Sequence, residues 1–574
     1  MISGGDLVAE FLLKQNILQL FTLCGGHISP ILVASKARGI RIIDTRHEAD
    51  AVFAADATAR LTGKVGVVAV TAGPGITNSV TALQNAMLAQ SPVVLLGGAA
   101  PTLLKGRGAL QDIDQLSLMR PNVKWAGAVR KRKEIIPKLT TAFEKAMEGT
   151  PGPVFLELPV DILYPEELVR NWYDQAKTKG KSISQKLTNW YISRHVKGIY
   201  SGTIPPIKTI NQTKPESGSF NITKLQKLVA RSQKPVLLIG SGAITQPDNI
   251  TDLAEAVATL GIPTYLSGMA RGLLGANHSL HFRHRRKTAL KSADLVILCG
   301  VVCDFRLDYG NHLGRATYVG INRDRTDLYK NRKPDLAIHS DPLAVICEWS
   351  RNHSKSPDWS NWKVELRDNE EAREKEIQAQ AQVISKQGIN PLQLFRQLDK
   401  ELSDHAIIVA DGGDFVGTAS YTLAPRKPLS WLDPGSFGTL GVGGGFALGA
   451  KTVNPDAEVF IIYGDGSSAY SLMEMDAFMR HKMPVIAIIG NDACWNQIAR
   501  DQVEMLKDDC GTTLAHSDYE HVAKAFGAAG SRVETMQEFV DALKAARKAN
   551  ANGQSFVINA ILAPSDFRKG SLSM

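Results

Sequence analysis

Residues 459–495 hold the arrangement that most restricts how this chain can fold. An apolar run, V-F-I-I-Y (459–463), is closed by Gly464-Asp465-Gly466-Ser467, and a second, M-P-V-I-A-I-I-G (483–490), is closed by Asn491-Asp492-Ala493-Cys494. Both runs read as strands. The helix-like stretch 470–482 between them is long enough to be a crossover, so the two strands are parallel neighbours in a sheet buried on both faces. Their carboxyl ends then lie side by side, where open α/β sheets take their ligands. Glycines there let backbone N–H groups close on phosphate oxygens, while Asp465 together with Asn491 or Asp492 can offer hard oxygen donors to one Mg²⁺. G-D-G alone is a common turn. Set between two strand ends, it becomes a socket for a metal-bound diphosphate.

The same alternation recurs along the chain. Residues 1–165 carry strand-like runs at 21–24, 41–44, 65–70, 93–96 and 154–158 between helix-like segments, a βαβ pattern that predicts a doubly wound parallel sheet. The first three runs end in Gly25-Gly26-His27, Thr45-Arg46-His47-Glu48 and Thr71-Ala72-Gly73-Pro74-Gly75-Ile76-Thr77-Asn78. Residues 219–350 repeat the pattern with runs at 235–240, 295–300 and 317–322. There Gly240-Ser241-Gly242 lacks the third glycine of the dinucleotide fingerprint, and His281-Phe282-Arg283-His284-Arg285-Arg286-Lys287 is a dense basic cluster that suits either a nucleotide phosphate or a solvated helix face. Residues 390–574 form the third α/β unit, opening with I-I-V-A (407–410) and the loop Asp411-Gly412-Gly413-Asp414. Residues 351–389 are read as a charged linker helix.

Between the first and second units, 166–218 is expected as a basic connection. From Leu168 to Tyr200 it has seven Lys or Arg against one acid, Asp174, interleaved with Trp172, Tyr173, Leu187, Trp190 and Tyr191. Such a piece either lies on an anionic membrane surface or packs on its own protein. A formal charge of +9 over 574 residues is too modest for a nucleic-acid partner and favours an anionic small molecule. The six cysteines lack C-x-x-C spacing, which predicts free thiols and no zinc site. No apolar run reaches membrane-spanning length and the start lacks a signal region, so the chain as given is expected to be soluble and cytoplasmic.

R-H-E-A-D-A-V-F-A-A-D-A-x-A-R followed by T-A-G-P-G-x-T-N, with G-D-G-S and the later Asn491-Asp492, resembles the thiamine diphosphate-dependent acetolactate synthase family. The resemblance implies three doubly wound domains: pyrimidine-binding, central and diphosphate-binding. It makes Glu48 the carboxyl group that activates the cofactor by sharing a proton with its aminopyrimidine ring. An apolar pocket favours the protonated carboxyl group needed for this. On the same mapping Gln111 projects toward the active site, and His27, in G-G-H-I, helps shuttle substrate protons. Gly73 and Asn78 flank the ring, and Gly412, Gly413 and Asp414 lay backbone amides against the diphosphate. Gly438 receives the aminopyrimidine amine at its carbonyl, and Leu440, where the family has Met, wedges between the rings. Gly464, Asp465, Gly466, Ser467 and Asn491 complete the socket. Where the family has Asn as second metal ligand this chain has Asp492, which is favoured over Asn491, and Cys494 gives its backbone carbonyl.

G-G-H-I-S-P, G-M-A-R-G-L-L-G and S-D-F-R are similar to the acyl-CoA lyase branch of that family. This implies cleavage of a 2-hydroxyacyl-CoA to formyl-CoA and an aldehyde one carbon shorter, with thiamine diphosphate and Mg²⁺. The alternative is an acetolactate synthase joining two pyruvates. The central domain holds FAD, ADP or part of coenzyme A in different branches. Relatives work as homodimers or homotetramers, and the animal ones sit at the endoplasmic reticulum through an N-terminal anchor that this chain is expected to lack. A silent binding module would have lost Glu48, and a nicotinamide dehydrogenase would need a complete G-x-G-x-x-G after a strand.

Overall fold

The computed structural model describes residues 2–175, 182–210, 222–352 and 357–570. Parts of the expected basic connection (176–181 and 211–218), of the linker before 389 (353–356) and Ser571 lie outside them. The chain forms two compact units, Met1–Ala59 with Lys64–Thr213, and Arg60–Gly63 with Lys214–Met574.

The first unit is built on six parallel strands, β1 (Gln19–Leu23), β2 (Arg41–Asp44), β3 (Gly66–Val70), β4 (Val93–Ala99), β5 (Trp125–Ala128) and β6 (Val154–Pro159), in the order β2-β1-β3-β4-β6-β5. Strands β3, β4 and β6 are buried along their whole length, as continuous apolar runs in a doubly covered sheet must be. The chain runs from β1 outward to β2 and returns to β3 on the other side of β1. That reversal opens a crevice at the carboxyl ends of β1 and β3. Helix α1 (Glu48–Thr62) starts directly after β2 with Glu48 and Asp50 in its first turn, where acids suit the helix dipole, and α2 (Pro74–Asn78) starts directly after the β3 loop.

The stretch expected as a basic connection forms two helices where it is described, α3 (Glu166–Gln175) and α4 (Ile183–Tyr200). Val169 and Tyr173, then Ile192, Val196, Ile199 and Tyr200, recur at helical spacing and join the first unit's apolar core. One residue fastens both helices. Buried Asp161 accepts through Oδ2 from the Thr102 N–H at 2.9 Å, the Thr102 hydroxyl at 2.6 Å and the Tyr173 hydroxyl at 2.8 Å, while its carbonyl accepts from Tyr200 Oη at 2.8 Å. Thr102 has one hydroxyl proton and gives it to Asp161, so His195 Nε2, 2.7 Å away, is the donor to Thr102. Among the described residues no helix is long and apolar enough to cross a membrane.

The second unit contains two more six-stranded parallel sheets. The central one comprises β7 (Pro235–Ile239), β8 (Thr264–Leu266), β9 (His281–Phe282), β10 (Leu295–Cys299), β11 (Thr317–Asn322) and β12 (Leu336–His339), ordered β12-β11-β10-β7-β8-β9. Its reversal lies between β7 and β10, and there the G-S-G turn is a packing device. A Cβ on Gly240 would fall 2.6 Å from the Gly300 carbonyl oxygen, and one on Gly300, at φ +62, 2.3 Å from Ala243 N. Within the basic cluster at 281–287, Arg283, His284 and Arg285 are engaged by other residues of the unit. Along α5 (Ser360–Ala381), Glu370 accepts from the backbone N–H of Arg283 and His284, Glu374 meets His284 Nε2 at 3.1 Å and Glu376 pairs with Arg285. The Arg283 guanidinium donates to the carbonyls of Tyr421 and Leu423.

The third sheet comprises β13 (Ala406–Asp411), β14 (Trp431–Leu432), β15 (Glu458–Gly464), β16 (Ile486–Asn491), β17 (Ala529–Val533) and β18 (Phe556–Ile561), ordered β14-β13-β15-β16-β18-β17. β15 and β16 pair in parallel from Phe460 with Ile486 to Gly464 with Gly490, which sets their two loops side by side. Helices α6 (Val442–Val453), α7 (Asp465–Ser471) and α8 (Asn496–Leu506) stand around the reversal between β13 and β15.

Asp161→Ala should strip a buried carboxylate from three donors, each left unpaired at a cost of ~1–3 kcal/mol. The expected result is a lower melting temperature and faster proteolysis within 166–200, read by a thermal scan and limited digestion.

Candidate active site

In the first unit the three loops singled out from the sequence converge at the crevice between β1 and β3. Glu48 is 6% exposed at the start of α1, and Asn78, at the end of α2, donates from Nδ2 to Glu48 Oε2 at 3.0 Å. Gly75 lies beside the other oxygen, since a Cβ there would be 3.6 Å from Oε1. His27 Nδ1 is 3.1 Å from the Thr71 hydroxyl, which donates to Gln111 Oε1 at 3.4 Å. With the Thr71 proton directed at Gln111, Nδ1–H of His27 is the donor and Nε2 carries the lone pair. Burial lowers the His27 pKa from its ordinary value, which keeps that lone pair free.

Gly73 is required twice over. Its φ is +60, and a Cβ would fall 2.7 Å from the carbonyl oxygen of Gln111, itself held at φ +61. Its N–H donates to Oε1 of buried Gln115 at 2.9 Å, and Gln115 Nε2 donates to the Gly98 carbonyl at 3.1 Å and to Glu157 at 3.0 Å. Gln115 therefore fixes the loop that carries Gly73 and Asn78. No period or motif marks it in the sequence.

In the second unit, the loops after β13, β15 and β16 converge in the same way. Asp411 ties the first two of them to the loop leading into α6. Its carboxylate accepts from Gly441 N at 3.1 Å and Gly443 N at 2.8 Å, fixing the Gly438-Thr439-Leu440-Gly441 loop at the start of α6, and its carbonyl accepts from the Ser467 hydroxyl at 2.6 Å. Burial pushes the Asp411 carboxyl up to about 7, against the pull of those two N–H groups. Gly412 and Gly464 approach so closely that a Cβ on Gly412 would sit 2.8 Å from Gly464 N. A Cβ on Gly413 would sit 2.7 Å from Gln497, and one on Gly466 would run into the Trp495 ring at 2.4 Å. Gly438, at φ +65, faces open space, and Leu440 beside it is half-buried. The carboxylate of Asp414 forms an ion pair with Arg500 on α8, which removes the conflict of an acid beside an anion site.

Asp465 accepts from Gly466 N through Oδ1 at 2.7 Å, while its Oδ2 is buried without a hydrogen-bond partner. Burial raises its pKa. Asp492 faces it and is pushed up to about 7, by burial first and by the Asp465 charge next. Asn496 Nδ2 donates to Asp492 Oδ2 at 2.6 Å. Two facing carboxylates, both raised by burial and Asp492 also by the Asp465 charge, one with an orphaned oxygen, fit a divalent cation. Asn491 is turned elsewhere: its Nδ2 donates to Asn559 Oδ1 at 3.0 Å and Ser517 O at 3.2 Å, and its Oδ1 meets His516 Nδ1 at 3.2 Å. Cys494 bridges to Thr513 through the backbone. Among the described residues no group of three or more His, Cys, Asp or Glu side chains could hold a metal. A cation between Asp465 and Asp492 would take its other ligands from carbonyl and phosphate oxygens.

Three crevices at strand reversals, two of them lined by these loops, define a thiamine diphosphate-type enzyme, and the family models agree. The N-terminal TPP binding domain of thiamine pyrophosphate enzymes matches residues 2–118, their central domain 222–348 and their C-terminal TPP binding domain 411–560. The chain belongs to the thiamine pyrophosphate enzymes, and thiamine diphosphate is the cofactor those domains bind. Among individual proteins it is similar to 2-hydroxyacyl-CoA lyase 2 of Danio rerio, at 47% identity covering 100% of this chain and 93% of that protein, and to 2-hydroxyacyl-CoA lyase 2 of Homo sapiens, at 45% covering 100% and 92%. It is similar at 30% to the acetolactate synthase large subunit IlvG of Mycobacterium tuberculosis, covering 98% and 96%.

Asp411→Ala leaves two buried N–H groups unpaired at ~1–3 kcal/mol each and frees the Gly438–Gly441 loop. Thiamine diphosphate affinity, measured by calorimetry, should fall at least about tenfold.

Proposed function

We propose that the protein is a thiamine diphosphate-dependent carbon–carbon lyase that cleaves a 2-hydroxyacyl-CoA into formyl-CoA and an aldehyde one carbon shorter. The observation that carries this reading is the buried Glu48 with Asn78 on its carboxylate, in a chain whose full length parallels 2-hydroxyacyl-CoA lyases at 45–47% identity and an acetolactate synthase at 30%. Bound thiamine diphosphate supplies a carbon nucleophile and a sink for the electron pair of the broken bond. Glu48 shares a proton with the aminopyrimidine ring, and Asn78 holds the carboxyl group in place. The amide of Gln111 faces the substrate. His27 Nε2 takes the proton of the 2-hydroxyl group as the C1–C2 bond breaks, so the aldehyde leaves neutral, and the imidazolium then returns that proton to C1 to give formyl-CoA.

In the other unit, backbone groups of Gly412, Gly413, Gly464, Gly466 and Ser467 line the diphosphate, the Gly438 carbonyl accepts from the aminopyrimidine amine and Leu440 supports the bend of the cofactor. Asp465, Asp492 and the Cys494 carbonyl hold Mg²⁺, a ligand set supported by the orphaned Asp465 oxygen and by the engagement of Asn491 elsewhere. A homodimer or homotetramer completes each site from two subunits. The outward stripe Ile183, Leu187, Trp190 and Tyr191 of α4, on a helix with Lys186, Arg194 and Lys197 and no acidic residue, supports contact with an anionic membrane surface.

With thiamine diphosphate, Mg²⁺ and a 2-hydroxyacyl-CoA, the protein should release aldehyde and formyl-CoA, both read by chromatography. Acetolactate from pyruvate without aldehyde would instead favour the synthase. Glu48→Gln should lower turnover by about 10²–10⁴-fold; full turnover in that variant would remove the assignment. Because burial lowers the His27 pKa, its base form persists into mild acid. The acid limb of kcat/KM should therefore fall below the ordinary histidine value of ~6.5 and disappear from the profile in His27→Ala.

A further inference from the structure

Beside His27 the first unit contains an open cavity of about 630 Å³, inside the ~300–1,000 Å³ range that takes a small organic ligand. Its lining is of two kinds. His27, Thr71 and Gln111, joined by hydrogen bonds, supply its polar lining, and Leu104, Leu110, Val160 and Trp172 supply apolar walls. Among the described residues no lysine or arginine lines it, which leaves a phosphate without a counter-charge from them. Leu110 is 80% exposed, Leu104 43% and Trp172 39%, a concentration of large apolar groups around one opening that calls for an apolar occupant.

The wall is held in place. Tyr164, which also lines the cavity, donates from its hydroxyl to the Gly26 carbonyl at 3.0 Å and packs its ring on Trp172, centroids 5.0 Å apart. Trp172 stands on α3, next to Tyr173 and its bond to Asp161. The Gln111 backbone, at φ +61, sits against Gly73 and carries Leu110 to the rim.

We propose that this cavity binds the alkyl chain of the acyl substrate and of the fatty aldehyde formed from it, with the oxygen-bearing carbon at His27 and Gln111 and the hydrocarbon against Leu104, Leu110 and Trp172. The inference rests on the lyase reading for its ligand and assigns chain-length selection to residues outside the cofactor loops. Trp172 closes the wall and sets how long or branched a chain fits.

The test uses the full chain with thiamine diphosphate and Mg²⁺ and has two readouts. The first is the ratio of kcat/KM for 2-hydroxyhexadecanoyl-CoA to that for 2-hydroxyhexanoyl-CoA. The second is hexadecanal binding without turnover, measured by displacement of a fluorescent fatty acid. Leu110→Glu, at a position exposed enough to fold normally, should lower the ratio and the hexadecanal affinity by about tenfold each, as a charge meets the chain. Trp172→Ala should move the preference toward longer or branched chains. Unchanged ratio and unchanged hexadecanal affinity in both variants would overturn the pocket assignment while the lyase reading stands. Variant-sensitive hexadecanal binding in a protein that cleaves no 2-hydroxyacyl-CoA would uphold the pocket and remove the lyase reading.

Discussion

A single buried carboxylate, Asp411, holds the second unit's site in register. Its side chain collects the N–H groups of Gly441 and Gly443, and its carbonyl collects the Ser467 hydroxyl, so loops after β13 and β15 and the one leading into α6 share one anchor. Asp411 ends β13, Gly441 and Gly443 open α6 and Ser467 is in the first turn of α7, so the anchor acts at the margins of the three loops. Glycine frees them to approach one another, and that same freedom would let them drift. A carboxyl acceptor in a low-dielectric position, bonded to two amides, restores the missing rigidity. In the first unit Gln115 does the equivalent work, joining Gly73 N–H to the Gly98 carbonyl and to Glu157.

All three sheets reverse strand order beside their first strand, and each reversal leaves a crevice at carboxyl ends. Two crevices are lined by chemistry-bearing loops, and at the third the backbone of Gly240–Ala243 packs against Gly300. Identical topology thus serves binding in one place and packing in another. What decides is whether the loop returns to the sheet or stands off from it.

Much of the site was readable because glycine, aspartate and asparagine at strand ends have few other reasons to follow apolar runs so closely. Most long buried strands were readable from their apolar runs, while β18, buried throughout, was not among those read. The short edge strands β5, β9 and β14 were not, since two to four residues carry no period and gain their pairing from neighbours. Gln115 and Asp411 escaped because a positioning side chain is defined by partners far away in sequence. Helices α3 and α4 escaped because their apolar residues face two ways, and a mixed pattern of lysine and tryptophan reads as a surface until the core beneath it is seen. The basic cluster at 281–287 was ambiguous for a related reason: its acids, Glu370, Glu374 and Glu376, come nearly a hundred residues later.

The Asp161 clamp carries a consequence for how such an enzyme changes over generations. Tyr173, Thr102 and, through Thr102, His195 all converge on Asp161, so α3 takes its position from a residue that touches neither the cofactor loops nor the cavity. Substitutions along α3 and α4 can reshape the wall that holds Trp172 while Glu48, Asn78 and Gln115 keep their mutual geometry. The α3 wall and the set of Glu48, Asn78 and Gln115 thus rest on separate anchors in the same unit, so change in the one leaves the bonds of the other in place.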